Sequence, residues 1–281
     1  MPRLGFAQAE RLARAIPASG EKLPPIGLGT WLTFDVTSAA DRAARGEVMR
    51  AFFEAGGRVV DSSPMYGAAE ETIGAALPPN GRSMFSATKV WTVGQLAGKR
   101  QLENSYKLWK LQRFDLLQVH NFLDYETHLA TLKRLKSEGR VRYIGVTTSH
   151  GRRHDLGEKI MREEPIDFIQ FTYNLNDREA ETRLLPVAAE RKIAVIVNRP
   201  FDGGDLFGAK TAKPLPGWSK DIECTSWAEA MLKWVIAHPA VTCAIPATRQ
   251  VAHVLQNTRA MKGPLPDAAL RKRIADDYAR A

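Results

Sequence analysis

Apolar residues along this chain recur with two different periods that alternate from end to end. Short runs rich in β-branched residues give way to longer segments in which apolar side chains recur at helical spacing. The short runs predict eight strands, at residues 26–31, 58–63, 84–90, 115–121, 141–147, 168–174, 193–200 and 242–247. The longer segments between them predict helices.

The segment after Ser226 shows the helical signal well. Ser226 and Glu229 have the spacing of a capping box, in which a serine and a glutamate satisfy the first backbone N–H groups of a helix. Trp227, Met231 and Trp234 then fall on one face of the helix. A further helix is predicted at the end of the chain, over 266–280.

Eight such strand and helix pairs in one chain predict an α/β fold, a (β/α)₈ TIM barrel. Parallel strands that are buried on both faces are nearly continuous in apolar residues, as these runs are. An open, doubly wound sheet is the second choice. Against it, no G-x-G-x-x-G motif follows the first strand, since Gly27-Leu28-Gly29 lacks the third glycine.

The composition is that of an ordinary globular protein, with 281 residues of which 44% are hydrophobic and 25% charged. Neither a Gly, Ser or Pro-rich linker nor an internal repeat divides the chain, so we expect one domain over 1–281, with a flexible start at 1–13. We also expect a monomer.

The net charge of +9 could indicate nucleic acid, a membrane surface or a small anion as partner. The tail from Arg249 to Ala281 carries +4 of this charge, without a dense basic run and without aromatic residues interleaved with it, which argues against nucleic acid. No apolar run is long enough to span a membrane, and no full secretory signal precedes the first strand. We therefore expect a soluble, cytoplasmic protein; a periplasmic one is the alternative if Ala7-Gln8-Ala9 is the remnant of an export signal.

Acid-base residues stand at the ends of three consecutive predicted strands. They are Asp61 and Tyr66 after the second strand, Lys89 on the third and His120 on the fourth. In a barrel of this kind the C-terminal ends of the strands form the active-site rim. Because a free tyrosine with a pKa near 10 is a poor acid at neutral pH, a cation such as Lys89 is expected to lower the pKa of Tyr66.

Motifs of other chemistries are missing from the sequence, including G-x-S-x-G, the P-loop, H-E-x-x-H and C-x-x-C. Cys224 and Cys243 have no metal-ligand spacing, and their separation neither requires nor excludes a disulfide. His150 and His154 are spaced for one helical face, but Arg152 and Arg153 between them disfavour a cation. No metal site is expected.

Several ordered motifs resemble those of the aldo-keto reductases, barrel enzymes that transfer hydride between NADPH and carbonyl compounds. The resemblance covers nearly the whole chain. It rests on LPPIGLGTW, VVDSSPMYGAAEETIGAAL, the strand ends at Lys89 and His120, VRYIGVT, IQFTYN, and IPAT followed by Gln256-Asn257. It also implies a short N-terminal hairpin, within residues 14–25, that closes the bottom of the barrel.

The resemblance implies a catalytic tetrad of Asp61, Tyr66, Lys89 and His120. Tyr66 would be the general acid that gives its proton to the carbonyl oxygen. Lys89 would stabilise the phenolate, Asp61 would hold Lys89, and His120 would orient the carbonyl oxygen. Trp31 and Trp91, with Tyr66 and His120, would frame the pocket of a small carbonyl substrate.

The nicotinamide end of the implied cofactor site departs from the family pattern at two positions. Thr148 stands where the family has an asparagine, and Asn198 stands where it has a tyrosine that stacks on the nicotinamide. Stacking would therefore come from elsewhere, with Phe201 as one candidate, or be weaker. The cofactor contacts implied at this end are Gly29, Thr30, Trp31, Asp61, Thr147, Gln170, Asn198 and Arg199.

At the adenosine end the resemblance implies contacts from Thr248, Arg249, Gln256 and Asn257. Ala247 and His253 replace the basic residues that the family often uses for the 2′-phosphate, but Arg249 brings a fixed charge suited to a phosphate. NADPH is therefore expected as cofactor in preference to NADH. The function expected is NADPH-dependent reduction of aldehydes or ketones; the alternative is a nucleotide-binding barrel that acts as a sensor or partner subunit.

Overall fold

The computed structural model describes residues 12–280. The prediction for Ala7-Gln8-Ala9, and most of the segment 1–13 predicted to be flexible, lie outside the described residues. That residues 1–281 make one domain stays a prediction.

Eight parallel strands form the sheet at the centre of the molecule, in the order of the chain. A two-stranded antiparallel hairpin precedes them, made of β1 (Arg14–Ala15) and β2 (Lys22–Leu23). The strands of the sheet are β3 (Leu28–Gly29), β4 (Val59–Asp61), β5 (Phe85–Val90), β6 (Phe114–Val119), β7 (Val141–Thr147), β8 (Phe168–Thr172), β9 (Ala194–Asn198) and β10 (Val241–Ala244).

The sheet closes into a barrel because the segments around β3 and β10 also pair. Parallel bridges join Ile26 to Ala244 and Gly29 to Ala247. The approach is close: a Cβ atom on Gly29 would lie 2.6 Å from the carbonyl oxygen of Ile245. Glycine is therefore required at this position by the seam of the barrel.

Helices connect the strands. They are α1 (Ala39–Glu54), α2 (Ala69–Ala76), α3 (Gln95–Trp109), α4 (Tyr125–Ser137), α5 (His154–Glu163), α6 (Leu184–Glu190), α7 (Ala209–Ala212), α8 (Trp227–Ile236), α9 (Val251–Arg259) and α10 (Ala268–Arg280). The Ser226 hydroxyl accepts from Glu229 N at 3.2 Å and caps α8, as predicted. The Glu229 carboxylate, however, accepts from Thr225 N rather than from Ser226.

The (β/α)₈ barrel, the N-terminal hairpin and the C-terminal helix predicted from the sequence are confirmed. Each predicted strand overlaps an observed one, and the bounds differ most at the first, where only Leu28–Gly29 of residues 26–31 forms ladder pairs. The apolar pattern continues beyond the hydrogen-bonded part of a strand because the flanking residues are also buried.

Apolar side chains fill the lower part of the barrel interior. Ile16 and Leu23 of the hairpin pack there against side chains that point inward from the strands. The inward side chains of this cluster are Val59, Phe85, Ala87, Leu116, Tyr143, Phe168, Ala194, Ile196, Cys243 and Ile245. A larger apolar cluster lies between the outer face of the sheet and the helices. The hairpin therefore plugs one end of the barrel, and the other end is left for polar side chains.

Candidate active site

Strand register places a layer of polar side chains above the apolar interior. Inward-pointing residues alternate along each strand, so Asp61 follows Val59, and Lys89 follows Phe85 and Ala87. Across the ladder, Lys89 pairs with Gln118, and Thr147 pairs with Gln170. The polar residues thus meet at the C-terminal ends of the strands, where barrel active sites lie.

The centre of this layer is an ion pair between Lys89 and Asp61. Lys89 Nζ lies 2.5 Å from Asp61 Oδ2 and 2.7 Å from the carbonyl oxygen of Ser62, and both charged side chains are almost completely buried. Gln118 Nε2 and Gln170 Nε2 donate to the other carboxylate oxygen, at 3.3 and 3.0 Å. Asp61 is thereby fixed from three strands.

Burial disfavours the charged form of Lys89, but the charge of Asp61 and the contact with Tyr66 outweigh it and raise the pKa of Lys89. The lysine therefore carries its positive charge throughout the neutral range. A permanent cation is held at the floor of the site.

Tyr66 lies on the loop between β4 and α2, and its ring faces this cation. Lys89 Nζ is 5.2 Å from the centroid of the Tyr66 ring. Burial raises the pKa of the Tyr66 phenol, the charge of Lys89 lowers it, and the net shift is upward. The expectation that Lys89 brings the pKa of Tyr66 below its value in water is therefore wrong, because desolvation of the phenolate exceeds the attraction of the ammonium. Tyr66 stays protonated at neutral pH and can act as a proton donor.

His120 immediately follows β6 and packs edge-on against Tyr66, with the ring centroids 5.7 Å apart. Its Nδ1 lies 2.9 Å from the hydroxyl of Ser63. Burial, together with the charge of Lys89, lowers the pKa of His120 to about 2. The imidazole is consequently neutral, and it can orient a polar group but has no proton to spare as a cation.

A cavity of about 820 Å³ opens above these residues. Twelve of the residues predicted to form the site line it: Gly29, Thr30, Trp31, Asp61, Tyr66, His120, Gln170, Asn198, Arg199, Thr248, Gln256 and Asn257. Lys89, Trp91, Thr147 and Arg249 do not line it. Lys89 lies beneath Asp61, and the hydroxyl of Thr147 accepts from Asn121 N at 3.1 Å.

The two nicotinamide-end positions that depart from the family pattern form hydrogen bonds with the barrel. Asn198 Nδ2 donates to the carbonyl oxygen of Thr148 at 2.9 Å, and its Oδ1 accepts from Thr172 Oγ1 at 2.7 Å. The hydroxyl of Thr148 donates to the carbonyl oxygen of Arg152. Phe201 lines the cavity and packs against Phe207, with ring centroids 5.1 Å apart.

Arg199 gives the cavity a positive group. Its guanidinium pairs with Asp202 at 3.0 Å and lies 6.0 Å from the centroid of the Trp31 ring. Within residues 12–280 its Nε is buried without a hydrogen-bond partner. An arginine in this state can accept an anionic ligand in the cavity.

The sequence reasoning missed Ser63 and Gln118, which support the tetrad, and Leu32 and Met65, which line the cavity. Ser63 could have been noticed because it lies two residues after Asp61. Gln118 carries no signal in the sequence, since only the barrel register brings it to Asp61.

Among residues 12–280, no group of three or more His, Cys, Asp or Glu side chains is placed to hold a metal ion. Cys224 and Cys243 are both free and buried. In the same part of the chain, no helix has the length and apolar character needed to cross a membrane.

Comparison with known proteins supports the resemblance seen in the sequence. The model of the Aldo/keto reductase family matches residues 25–273. Aldo-keto reductase YhdN from Bacillus subtilis is 30% identical over an alignment of 215 residues that covers 70% of this chain and 64% of that protein. The match thus spans just under two thirds of that relative.

Two further similarities concern cofactors. The NADH-specific methylglyoxal reductase of Escherichia coli is 31% identical over 137 residues, covering 46% of this chain and 41% of that protein. A crystal structure of an aldo/keto reductase from Klebsiella pneumoniae, in complex with NADP and acetate, superposes with a TM-score of 0.78 at 25% identity. That superposition covers 92% of this chain and 93% of the other. Fold, site and family match agree: the chain belongs to the aldo/keto reductase family.

Proposed function

We propose that this protein reduces aldehydes or ketones to alcohols with NADPH, and that Tyr66 is the general acid. The observation that carries the proposal is the buried ion pair of Lys89 and Asp61 beside the half-buried Tyr66, which lines the cavity together with Asp61. A neutral phenol beside a permanent cation is suited to protonate an oxygen on which negative charge develops.

Each residue of the tetrad has a distinct part in the proposed reaction. The Tyr66 hydroxyl donates its proton to the carbonyl oxygen, and the Lys89 ammonium stabilises the phenolate that remains. Asp61 keeps Lys89 charged and in place. Neutral His120, held by Ser63, aims the carbonyl oxygen at the Tyr66 hydroxyl.

The residues around the cavity fit a dinucleotide cofactor. About 820 Å³ is at the upper end of the range for ligand sites, and Arg199 offers an unused buried donor toward an anion. We propose that Gly29, Thr30, Trp31, Gln170 and Asn198 hold the nicotinamide end. When bound, NADPH supplies the hydride.

For the adenosine end we propose Thr248, Gln256 and Asn257, with Arg249 as the cation for the 2′-phosphate. Arg249 is exposed beside Thr248, and within residues 12–280 it makes neither an ion pair nor a side-chain hydrogen bond. The NADP-bound Klebsiella relative supports NADPH, whereas the NADH-specific Escherichia coli relative keeps NADH as the second choice.

The substitution Tyr66→Phe tests the proposal. We expect turnover of a panel of aldehydes, followed as loss of NADPH absorbance, to fall about 10²- to 10⁴-fold. The affinity for NADPH, measured by quenching of tryptophan fluorescence, should stay within about two-fold, since a phenol and a phenyl ring have nearly the same shape.

Tyr125→Phe, on α4 and outside the residues that line the cavity, is the matched control and should behave as the parent. If the Tyr66 variant reduces aldehydes at the parent rate, Tyr66 is not the acid. If the parent binds NADPH but none of the carbonyl compounds tested causes its oxidation, the sensor or partner-subunit alternative is favoured.

A further inference from the structure

A buried carboxylate that the proposed mechanism does not use lies behind the tetrad. Glu70 is 2% exposed and is the second residue of α2. Its carboxylate accepts three hydrogen bonds from described residues: Thr88 Oγ1 donates at 2.6 Å, Trp109 Nε1 at 2.9 Å and Ser105 Oγ at 3.0 Å. A carboxylate taken out of water is retained only when it is hydrogen-bonded in this way.

The partners of Glu70 connect the elements that carry the tetrad. Thr88 precedes Lys89 on β5, and its side chain points to the outer face of the sheet while that of Lys89 points inward. Trp109 and Ser105 belong to α3. One carboxylate therefore joins α2, β5 and α3.

The same helix begins directly after the loop of Tyr66. Ala69 N donates to the carbonyl oxygen of Tyr66 at 3.1 Å, so the last turn of the loop and the first turn of α2 are continuous. Farther along α2 the contact with α3 leaves no room: a Cβ atom on Gly74 would lie 1.8 Å from the carbonyl oxygen of Leu108. Helix α2 is thus fixed at its start by the hydrogen bonds of Glu70 and farther along by the close contact of Gly74 with α3.

We propose, on the basis of the function proposed above, that Glu70 is a positioning residue, which sets Tyr66 of the α2 loop against Lys89 of β5 through its bond to Thr88. Burial raises the pKa of Glu70, and the bonds from Thr88, Ser105 and Trp109 act in the opposite direction. The geometry requires a hydrogen-bond acceptor opposite Thr88 and Trp109. A glutamine can supply that acceptor with its amide oxygen and turn its NH₂ group toward Ser105.

The test compares Glu70→Leu, which removes both acceptor oxygens, with Glu70→Gln, which keeps one acceptor oxygen for Thr88 and Trp109. Glu71→Leu is the control, because Glu71 is the next residue of α2 and, in the described part of the chain, its side chain makes only a surface ion pair with Arg42. We expect kcat for aldehyde reduction to fall at least about ten-fold in the Leu variant, about three-fold or less in the Gln variant, and not at all in the control. The affinity for NADPH should stay within about two-fold in all three.

A second measurement does not require turnover. The pH at which the Tyr66 phenol ionises can be followed by ultraviolet difference titration against the Tyr66→Phe background. In Glu70→Leu we expect this pH to rise by about half a unit or more, because Tyr66 moves away from the Lys89 cation. In Glu70→Gln and Glu71→Leu it should stay at the parent value.

The two proposals fail in different ways. A parent protein that reduces no carbonyl compound contradicts the proposed function, while the titration still decides the role of Glu70. A folded Glu70→Leu variant with parent kcat and parent titration overturns the positioning role, and so does a Gln variant as impaired as the Leu variant. Should Glu70→Leu not fold, Thr88→Val against Thr88→Ser makes the same comparison for one bond: a loss of about three-fold in kcat is expected only for Val, and equal kcat overturns the role.

Discussion

The two ends of the cavity are built differently. At the catalytic end, Asp61 is held by Lys89, Gln118 and Gln170, all of them almost completely buried on strands of the barrel. At the adenosine end, the Thr248 hydroxyl accepts a hydrogen bond from Gln250 N of the same loop. Around it the side chains of Arg249 and His253 are exposed, Gln256 is half-buried and Asn257 is buried.

This difference sets what a substitution costs at each end. A change at Asp61 or Lys89 leaves a buried charge without its partner, which costs on the order of 3 to 5 kcal/mol. A change at Ala247 or at His253 of α9 alters an exposed side chain, for which surface substitutions cost about 0.5 kcal/mol or less. Stability therefore opposes substitution of Asp61 and Lys89, whereas it does not oppose substitution of Ala247 and His253.

The largest effect is expected at the catalytic end, for Lys89→Met. Turnover should fall by about 10³-fold or more, because the phenolate of Tyr66 loses the cation that stabilises it. Thermal stability should also fall, since the Asp61 carboxylate stays buried without its cation. Steady-state kinetics below the melting temperature measure the first effect and calorimetry the second.

Lys233→Met separates the two effects. Lys233 is also buried, but among residues 12–280 it donates only to the carbonyl oxygens of Ile222 and Pro264, and burial lowers its pKa. We expect this variant to lose stability and to keep the turnover of the parent. If the Lys89 variant turns over as fast as the parent, the Lys89 ammonium has no part in the mechanism.

A smaller effect is expected from His120→Asn on the pH dependence of stability. The pKa of His120 is about 2 in the folded protein and near 6.5 when unfolded, so between these values the unfolded state binds more protons. Its contribution to stability is complete above about pH 6.5 and is lost as the pH falls, by up to about 1.4 kcal/mol per pH unit. Urea unfolding at pH 7 and pH 5 should show a shallower loss in the variant than in the parent.

His238 serves as the control for this measurement. Burial and the charge of Arg271 lower its pKa to about 4, and it does not line the cavity. His238→Asn should make the pH dependence shallower as well, but it should leave turnover unchanged, while His120→Asn should reduce it. An unchanged pH dependence in both variants would mean that these imidazoles are charged at pH 5 in the folded protein, as they are in the unfolded chain.

The smallest effect is expected at the adenosine end, for Arg249→Ala. A charge-assisted contact to a phosphate at a solvent-exposed position should be worth about ten-fold in affinity or less. We expect NADPH to bind about three- to ten-fold more weakly and NADH to bind as in the parent, as measured by fluorescence quenching. Lys262→Ala, another exposed cation after α9, should change neither affinity. A loss of NADH affinity of the same size would show that Arg249 does not read the 2′-phosphate.

Prediction from the sequence reached the strands and the barrel, and it placed Asp61, Lys89 and His120 at strand ends, because each of these has a local signal. The catalytic role of the tetrad stays a prediction. Short apolar runs between helical segments mark the strands, and the C-terminal ends of the strands mark the rim of the barrel. It could not reach Gln118 or Glu70, whose partners lie 57 and 18 residues away along the chain. It also gave the wrong direction for the pKa of Tyr66, because the cost of desolvation depends on how the whole site is packed.

The sequence by itself determined the order of strands and helices, the position of Asp61 and Lys89 at strand ends, and the supply of charged and aromatic groups. These depend on periods of two and of about 3.6 residues, which are local properties. The tertiary structure decided which groups meet, that Tyr66 and His120 are neutral, and that Arg249 stands outside the cavity. The reason is that burial and register are set by the closed barrel, and the energies of buried charges follow from both.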